Sequence, residues 1–480
     1  MSLARQSVSG TIWTLLDIFF NKAIYFIATL ILARLLGPNE FGLIGMIMVF
    51  FTIGTTIVDS GLSVSLIRTS NPDDAEYSTI FYMNLILSLI AYLLIFLASP
   101  FVAVFYSQPI LESLIQIYCL GFIISAFRMI GQVKLIREMN FKKIAILNTP
   151  GNIVGLSVGV WMAVNQYEVW SIVGLYLSTQ IVATIMYLLF INWRPKLVFS
   201  FQKMNYHWNF GYKLMLSGQL NTVFDNIYNI LIGKFYSVEL LGYYERAYTL
   251  NNYPVSILSG IISKVSLPLL SQISNDKQRT LIVYRKILLL SFYLSAPLML
   301  GALVLAKPLF VLLLGEQWIP GVPFFQILCL SYMFYPIHSL NINILVIYRK
   351  SNLFLKLELL KKVLILVLIL ISFNFGIFGL VWSSVIASIS ALFINTYYSG
   401  DLISYYTKDQ LKDIVPTLTI SILMAIVMHF CYLFLENVIS IIQIAIPSII
   451  GVGFFVFLSY ITKNESLSNV ILLLKKKPIV

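Results

Sequence analysis

The stretch IYFIATLILARLLGPNEFGLIGM, residues 24–46, contains the pattern on which the predicted fold depends. An apolar helix is followed by a basic residue, a short turn and a second helix that opens with glycine. The pattern recurs without a gap 200 residues later as FDNIYNILIGKFYSVELLGYYER, residues 224–246. Arg34 then falls on Lys234, and Gly42 falls on Gly242. We interpret this match as an internal repeat.

Apolar segments occupy most of the chain. Hydrophobic residues make up 59% of the 480, and the mean hydropathy is +0.88, which excludes a soluble globular protein. The segments are continuous rather than alternating, as helices in a bilayer require. A hydrocarbon core of about 30 Å takes about 20 helical residues, so we predict about fourteen spans. They are placed at residues 11–36, 41–67, 78–105, 110–133, 143–164, 169–192, 209–235, 241–270, 283–306, 321–347, 354–373, 376–398, 414–435 and 440–462.

The repeat indicates how these helices are grouped. An even number of predicted spans separates the two copies, so both copies cross the membrane in the same direction. We therefore predict an all-α integral membrane protein with two six-helix lobes, related by an axis along the membrane normal, around a central cavity. The N-terminal lobe would comprise residues 1–200 and the C-terminal lobe residues 201–400. Residues 401–480 would add two helices and a basic tail.

The distribution of charge predicts the orientation. The chain has 32 Lys and Arg against 20 Asp and Glu, and most of the basic residues fall on alternate loops. This is the positive-inside pattern, and it places both termini in the cytoplasm. Because the basic residues are spread over loops, they favour contact with anionic membrane lipids and not with nucleic acid. The first apolar stretch is too long for a signal peptide, so we expect it to be retained.

Four basic residues stand apart from this pattern. Lys22, Arg128 and Lys264 fall within predicted spans, and Arg246 lies near the outer end of a span. A charge at mid-membrane costs about 2.5–3.5 kcal/mol, so each needs a partner or a polar cavity. Arginine offers a fork to phosphate and lysine a mobile point charge. They are candidate ligands for an anionic head group, or else they neutralise acids or reach towards an interface.

Acidic and amide residues within the spans form a second candidate set. Asp17 and Asn21 are four residues apart on one helix face, and so are Asn221 and Asp225. Such a pair could bind Na⁺ or take up a proton, or it could be a fixed counter-ion. Asp59 is better suited to be the partner of a cation. Coupling to Na⁺ or H⁺ is thus permitted but not required, and no other cofactor is predicted.

Enzymatic motifs find no support in the sequence. His207 falls in a predicted cytoplasmic connection, whereas His338 and His429 fall in spans, and none has a second ligand at helical spacing. The three cysteines form no CxxC pair, so neither a disulfide nor a metal site is predicted. P-loop, GxGxxG and GxSxG motifs do not occur in the sequence. We predict that the protein is not an enzyme.

Particular motifs resemble a known family. Phe210-Gly211, Leu214, Ser217, Asp225, Gly233 and LGYYERAYTL at residues 241–250 resemble the second half of the polysaccharide exporter family. LARLLGPNEFGLIGM at residues 32–46 and IREMNFKKIA at residues 136–145 resemble its first half. This is the Wzx-type, colanic or teichuronic acid exporter-like branch of the multidrug/oligosaccharidyl-lipid/polysaccharide flippase superfamily. The resemblance covers about residues 1–400.

The resemblance implies a function. Such proteins are V-shaped pairs of lobes in the bacterial inner membrane. They flip undecaprenyl-pyrophosphate-linked oligosaccharides to the periplasmic leaflet by alternating access. The partners implied are this lipid-linked substrate, membrane lipids, and the glycosyltransferases and polymerase of the same pathway. Two alternatives on the same fold stay open, a drug/cation antiporter and a peptidoglycan-precursor flippase. A polysaccharide polymerase or ligase is disfavoured. Such an enzyme would be expected to have a large outer loop with catalytic residues, and the sequence predicts no such loop.

Overall fold

The computed structural model describes residues 23–436 and 438–474, and every regular element in these ranges is a helix. Asp17, Asn21 and Lys22, which belong to the predicted site, lie outside the described residues. The chain divides into two compact units, residues 1–242 and residues 243–480. The lobe boundaries drawn from the repeat differ from this division and stay a prediction.

The first unit contains ten helices within its described part and the start of an eleventh. They are α1 Ala23–Leu35, α2 Pro38–Asp59, α3 Leu62–Arg68, α4 Asp74–Tyr106, α5 Ile110–Tyr118, α6 Leu120–Arg137, α7 Phe141–Val164, α8 Trp170–Phe190, α9 Phe201–Asp225, α10 Ile227–Phe235 and α11 Val238–Ile273.

The second unit contains the rest of α11 and nine further helices in its described part. They are α12 Lys277–Val304, α13 Ala306–Leu313, α14 Val322–Tyr332, α15 Tyr335–Ile347, α16 Ser351–Ser372, α17 Gly376–Ile403, α18 Thr407–Leu433, α19 Ser440–Ile461 and α20 Glu465–Leu474. Short 3-10 turns at Glu316–Gly321 and Phe373–Phe375 precede α14 and α17.

Eleven helical stretches of the described chain are long and apolar enough to cross a membrane, which supports a multi-pass membrane protein. The all-helical fold class is confirmed, but the count of fourteen spans is not. Each predicted span except the first and the seventh overlaps one of the eleven stretches, and residues 11–22 of the first lie outside the described residues. The predicted spans at 354–373 and 376–398 fall in one stretch, 351–403. Within it, the 3-10 turn Phe373–Phe375 and Gly376, whose φ is 69°, separate the two helices.

Local signals in the sequence explain where helices begin and end. Asp73 accepts a hydrogen bond from the N–H of Glu76 at the start of α4, over 2.7 Å. Asp276 does the same for the N–H of Arg279 at the start of α12, over 3.0 Å. Each carboxylate satisfies an N–H group that the first helical turn leaves without a partner. α2 ends at Asp59, and the left-handed φ of 31° at the following residue, Ser60, stops the helix.

The two copies of the sequence pattern meet at a pair of glycines. α2 and α11 begin at Pro38 and Val238, 200 residues apart, and in each case two residues separate the helix from the preceding one. A Cβ on Gly42 would lie 1.9 Å from the carbonyl oxygen of Val238. A Cβ on Gly242 would lie 1.8 Å from the carbonyl oxygen of Pro38. Only glycine allows this approach, which accounts for the glycine at the same place in both copies.

In the second unit, a buried aromatic cluster and an ion-pair network hold the helices. Tyr284 and Phe292 of α12 pack with Ile337 and Leu340 of α15 in an apolar core. At the same end of α12, the Arg285 Nε donates to Asp413 Oδ2 of α18 over 2.5 Å, and Arg285 Nη1 donates to Glu465 Oε1 over 3.0 Å. One arginine therefore joins α12, α18 and α20.

Candidate functional site

A cavity of about 650 Å³ lies within the first unit and contains the charged residues of greatest interest. It is lined by residues of α2, α3, α4, α6, α8 and α9, and we call it the first-unit cavity. Its polar lining residues are Thr55, Thr56, Asp59, Ser60, Ser63, Asn84, Ser125, Arg128, Gln132 and Gln180. An opening of this size and polarity can accept a polar group such as a sugar.

Arg128 is the basic residue of this cavity. It lies on α6, is half-buried, and its Nη2 donates to Gln180 Oε1 of α8 over 2.7 Å. Among residues 23–436 and 438–474 no carboxylate forms an ion pair with it. The guanidinium is thus oriented by a neutral amide, and most of its five N–H donors are left for an anion. Such donors can form charge-assisted hydrogen bonds to a phosphate group.

Asp59 is the acidic residue of the same cavity. It is the last residue of α2, and the helix breaks directly after it at Ser60 and Gly61, whose φ values are 31° and 66°. Asn84 of α4 donates to the carbonyl of Val58 over 2.8 Å and so satisfies an acceptor freed by the break. The Asp59 side chain is exposed in the cavity, and no described residue forms a hydrogen bond or an ion pair with it.

The other predicted site residues lie elsewhere. Asn221 and Asp225 are exposed near the C-terminal end of α9, where Asp225 is the last helical residue. Arg246 and Lys264 belong to α11 in the second unit; Arg246 is buried, whereas Lys264 is exposed. Of the predicted residues that can be located, the structure brings Arg128 and Asp59 to one cavity.

Amide side chains in this cavity were not identified from the sequence. Gln180 orients Arg128, Asn84 stabilises the break after Asp59, and Gln132 lines the cavity one turn beyond Arg128. A search for charges within spans does not detect them because amides are neutral. Their signal is a Gln or Asn inside an otherwise apolar helix.

His207 differs from its prediction. The sequence places it in a polar connection, but the structure places it in α9, fully buried. Its Nδ1 lies 2.8 Å from Ser65 Oγ of α3, and its Nε2 lies 2.9 Å from Glu76 Oε1 of α4. The side chain therefore joins three helices through two hydrogen bonds.

Ion pairs strengthen the junction around His207. Asp73 at the start of α4 hydrogen-bonds Lys203 of α9, and Asp74 lies 2.6 Å from Lys196 Nζ. The Lys203 ammonium holds the pKa of Asp73 below its usual value. This pair is present at neutral pH and is lost as the pH falls through the lowered pKa.

A metal site is not found in the described part of the chain, where no group of three or more His, Cys, Asp or Glu side chains could hold an ion. His338 Nε2 lies 3.1 Å from Ser388 Oγ, and His429 is exposed on α18. Cys329 donates to Asn251 Oδ1 over 3.1 Å, within the second unit. The contacts of His338 and Cys329 join neighbouring helices within the second unit.

Comparison with known families and sequences gives consistent results. The family described as "Polysaccharide biosynthesis protein" matches residues 31–323. Lipopolysaccharide biosynthesis protein WzxC of Escherichia coli (strain K12) is 25% identical, covering 68% of this chain and 67% of that protein. Teichuronic acid biosynthesis protein TuaB of Bacillus subtilis (strain 168) is 23% identical over 68% of each. An uncharacterized membrane protein in the cps region of Klebsiella pneumoniae is 24% identical over 98% of each.

Comparison with solved structures identifies the fold. The lipid II flippase MurJ, in an inward closed conformation, superposes with a TM-score of 0.72 at 15% identity, covering 94% of this chain and 98% of that one. An inward-facing multidrug resistance MATE family transporter of the MOP superfamily superposes with a TM-score of 0.62 at 14% identity, covering 82% and 99%. At these identities the similarity is one of fold.

Proposed function

Since the chain belongs to the polysaccharide biosynthesis protein family, we propose that it is a flippase for a lipid-linked oligosaccharide. The substrate class is an oligosaccharide joined to undecaprenyl through a diphosphate. The protein would move it from the cytoplasmic to the outer leaflet of a bacterial cytoplasmic membrane by alternating access, with both termini in the cytoplasm. The pathway's glycosyltransferases and polymerase are the expected partners.

The observation that carries this proposal is Arg128 in the first-unit cavity. A guanidinium within a membrane-spanning helix is costly, and no described carboxylate compensates it. A ligand that brings negative charge would compensate it. The diphosphate has this charge, and the neutral polar groups around Arg128 suit the hydroxyls of the attached sugars.

A substitution series at Arg128 tests the proposal. Arg128→Ala removes charge-assisted hydrogen bonds worth about 1.5–3 kcal/mol each, so we expect affinity for the lipid-linked oligosaccharide to fall about 10–100-fold. Arg128→Lys keeps the charge but loses the fork, so an intermediate loss is expected. The measurements are binding to the full-length protein in nanodiscs and export of surface glycan at equal protein level.

Arg279→Ala is the matched control, because Arg279 is exposed at the start of α12 and its side chain has no ion-pair partner in the described chain. It removes one arginine without touching the cavity, so binding and export should equal those of the wild type. If Arg128→Ala also bound and exported the substrate normally, the proposed role of the cavity would be wrong.

A second function, transport coupled to or exchanged for a cation, is favoured by Asp59. Its carboxylate is exposed in the same cavity without a described partner, as a cation site requires. This suits a drug/cation antiporter on the same fold as well as a flippase driven by Na⁺ or H⁺. Affinity for a diphosphate distinguishes them, because an antiporter of cationic drugs would not depend on Arg128.

A further inference from the structure

We infer that the lipid chain of the substrate leaves the first-unit cavity sideways, through an apolar pocket between α4, α6 and α8 that shares Arg128 with the cavity. This inference rests on the proposed function and adds the path of the chain. The pocket has a volume of about 160 Å³. Its apolar lining includes Phe81, Phe127, Tyr187, Leu188 and Trp193.

The shape and lining of this side pocket suit a hydrocarbon. Phe81 contacts Phe127 and Trp193, with ring centroids 6.0 and 5.9 Å apart, so aromatic faces form one wall. An engineered apolar cavity of about 150 Å³ in another protein holds a benzene molecule. The side pocket can therefore hold a five- or six-carbon apolar group, which is about one isoprene unit.

Arg128 lines both the polar cavity and the apolar side pocket. It lines the first-unit cavity, where Asp59, Gln132 and Gln180 are polar. It also lines the side pocket, whose other lining residues are uncharged. A prenyl-diphosphate sugar has the same order of polar, anionic and apolar parts. With the diphosphate on Arg128, the sugars lie in the cavity and the first isoprene unit lies in the side pocket.

The side pocket leads to a surface that can meet lipid. Two of its lining residues, Phe127 of α6 and Leu188 of α8, are 41% and 38% exposed. Exposed apolar side chains on a membrane helix face the acyl chains of the bilayer. A prenyl chain can thus pass from the pocket onto this face without its apolar surface entering water.

A basic cleft borders the same pocket and would attract a phosphate to this side of the unit. It has a volume of about 610 Å³ and shares Ile191, Trp193 and Pro195 with the side pocket. Lys196 is paired with Asp74, but Lys134 and Lys143 form no ion pair within the described chain. The Lys134 Nζ lies 5.9 Å from the Trp193 ring centre. Such a positive field raises the local concentration of anionic head groups.

Two neighbouring leucines of α8 offer a matched test. Leu188 lines the side pocket, whereas Leu189 faces outward and does not. In the full-length protein in nanodiscs, we expect Leu188→Trp to fill the pocket and weaken binding of undecaprenyl diphosphate at least about tenfold, the effect of about two buried methylene groups. Binding of inorganic pyrophosphate should be unchanged. Leu189→Trp should change neither.

A second measurement uses the unsubstituted protein and so does not depend on how a variant folds. A prenyl diphosphate with a diazirine in its first isoprene unit should label residues 187–195 or Phe127 on irradiation. Labelling confined to other segments, or undiminished binding of undecaprenyl diphosphate by Leu188→Trp, would overturn the proposed path. Neither result touches the proposed function, which fails instead if Arg128→Ala binds the lipid-linked oligosaccharide as the wild type does.

Discussion

At the scale of single residues, two opposite charges line the cavity of the proposed site. Arg128 and Asp59 stand on different helices, and neither has a charged partner among the described residues. An ion pair between them would cancel the charge that an anionic or cationic ligand needs. We therefore propose that Arg128 binds a phosphate and Asp59 a cation, with substrate and coupling ion in the cavity together.

Asp59→Asn tests the cation role, because asparagine keeps the size of the side chain and removes its charge. If the carboxylate binds Na⁺ or H⁺, transport into proteoliposomes should lose its stimulation by a gradient of that ion, while binding of the lipid-linked oligosaccharide falls less than about threefold. Asp401→Asn is the control, because Asp401 is exposed near the end of α17. An unaltered ion response in Asp59→Asn would leave Asp59 without a coupling role.

At the scale of helices, the tightest association in the first unit uses small residues. Gly151, Gly155 and Gly159 recur every four residues along α7 and face α8. A Cβ on Gly155 would lie 1.9 Å from Thr179 Oγ1 and 2.8 Å from the carbonyl oxygen of Leu175. Because lipid provides no hydrophobic drive, close backbone packing is what holds two such helices together.

Gly155→Ala is therefore expected to separate α7 from α8 and to lower the thermal stability of the detergent-solubilised protein. The cost should be about 1–3 kcal/mol, as for other overpacked sites. Gly453→Ala is the matched control, since a Cβ at Gly453 of α19 meets no atom within 4 Å. The check is the unfolding midpoint of both variants; equal midpoints would contradict the packing argument.

His207 lies in a helical segment that apolar periodicity does not detect. The first turns of α9 read FQKMNYHWN, a polar sequence that hydropathy assigns to a loop. The structure starts the helix at Phe201, and Ser200 caps it by accepting from the N–H of Lys203. The helix is stabilised here by hydrogen bonds to α3 and α4, which are tertiary contacts that no local pattern reveals.

At the scale of the whole molecule, the energetics of export depend on net charge movement. Each negative charge that moves outward across a membrane with an inside-negative potential lowers the free energy by about 2.3 kcal/mol per 100 mV. A doubly charged diphosphate would gain about twice that if no counter-ion moved with it. The gain disappears if cations bound in the cavity cross with the substrate.

We therefore predict that an inside-negative potassium diffusion potential accelerates outward flipping of the lipid-linked oligosaccharide in proteoliposomes. The measurement is the initial rate with and without valinomycin at fixed substrate. A slower rate under the potential would mean that the net charge moved outward is positive. An unchanged rate would mean that counter-ions cancel the charge of the diphosphate.

Composition and local pattern were enough to predict a helical membrane protein, an internal repeat, and Arg128 and Asp59 as charges within spans. The helical class and the charged residues can be predicted locally because a lipid environment makes unsatisfied backbone groups and charges unfavourable within any single segment. The repeat is read directly from the sequence. Tertiary packing decided which charges share a cavity, which amide orients Arg128, and that an apolar pocket lies beside it. These contacts join residues far apart in the chain, so their distances exist only once the helices are packed.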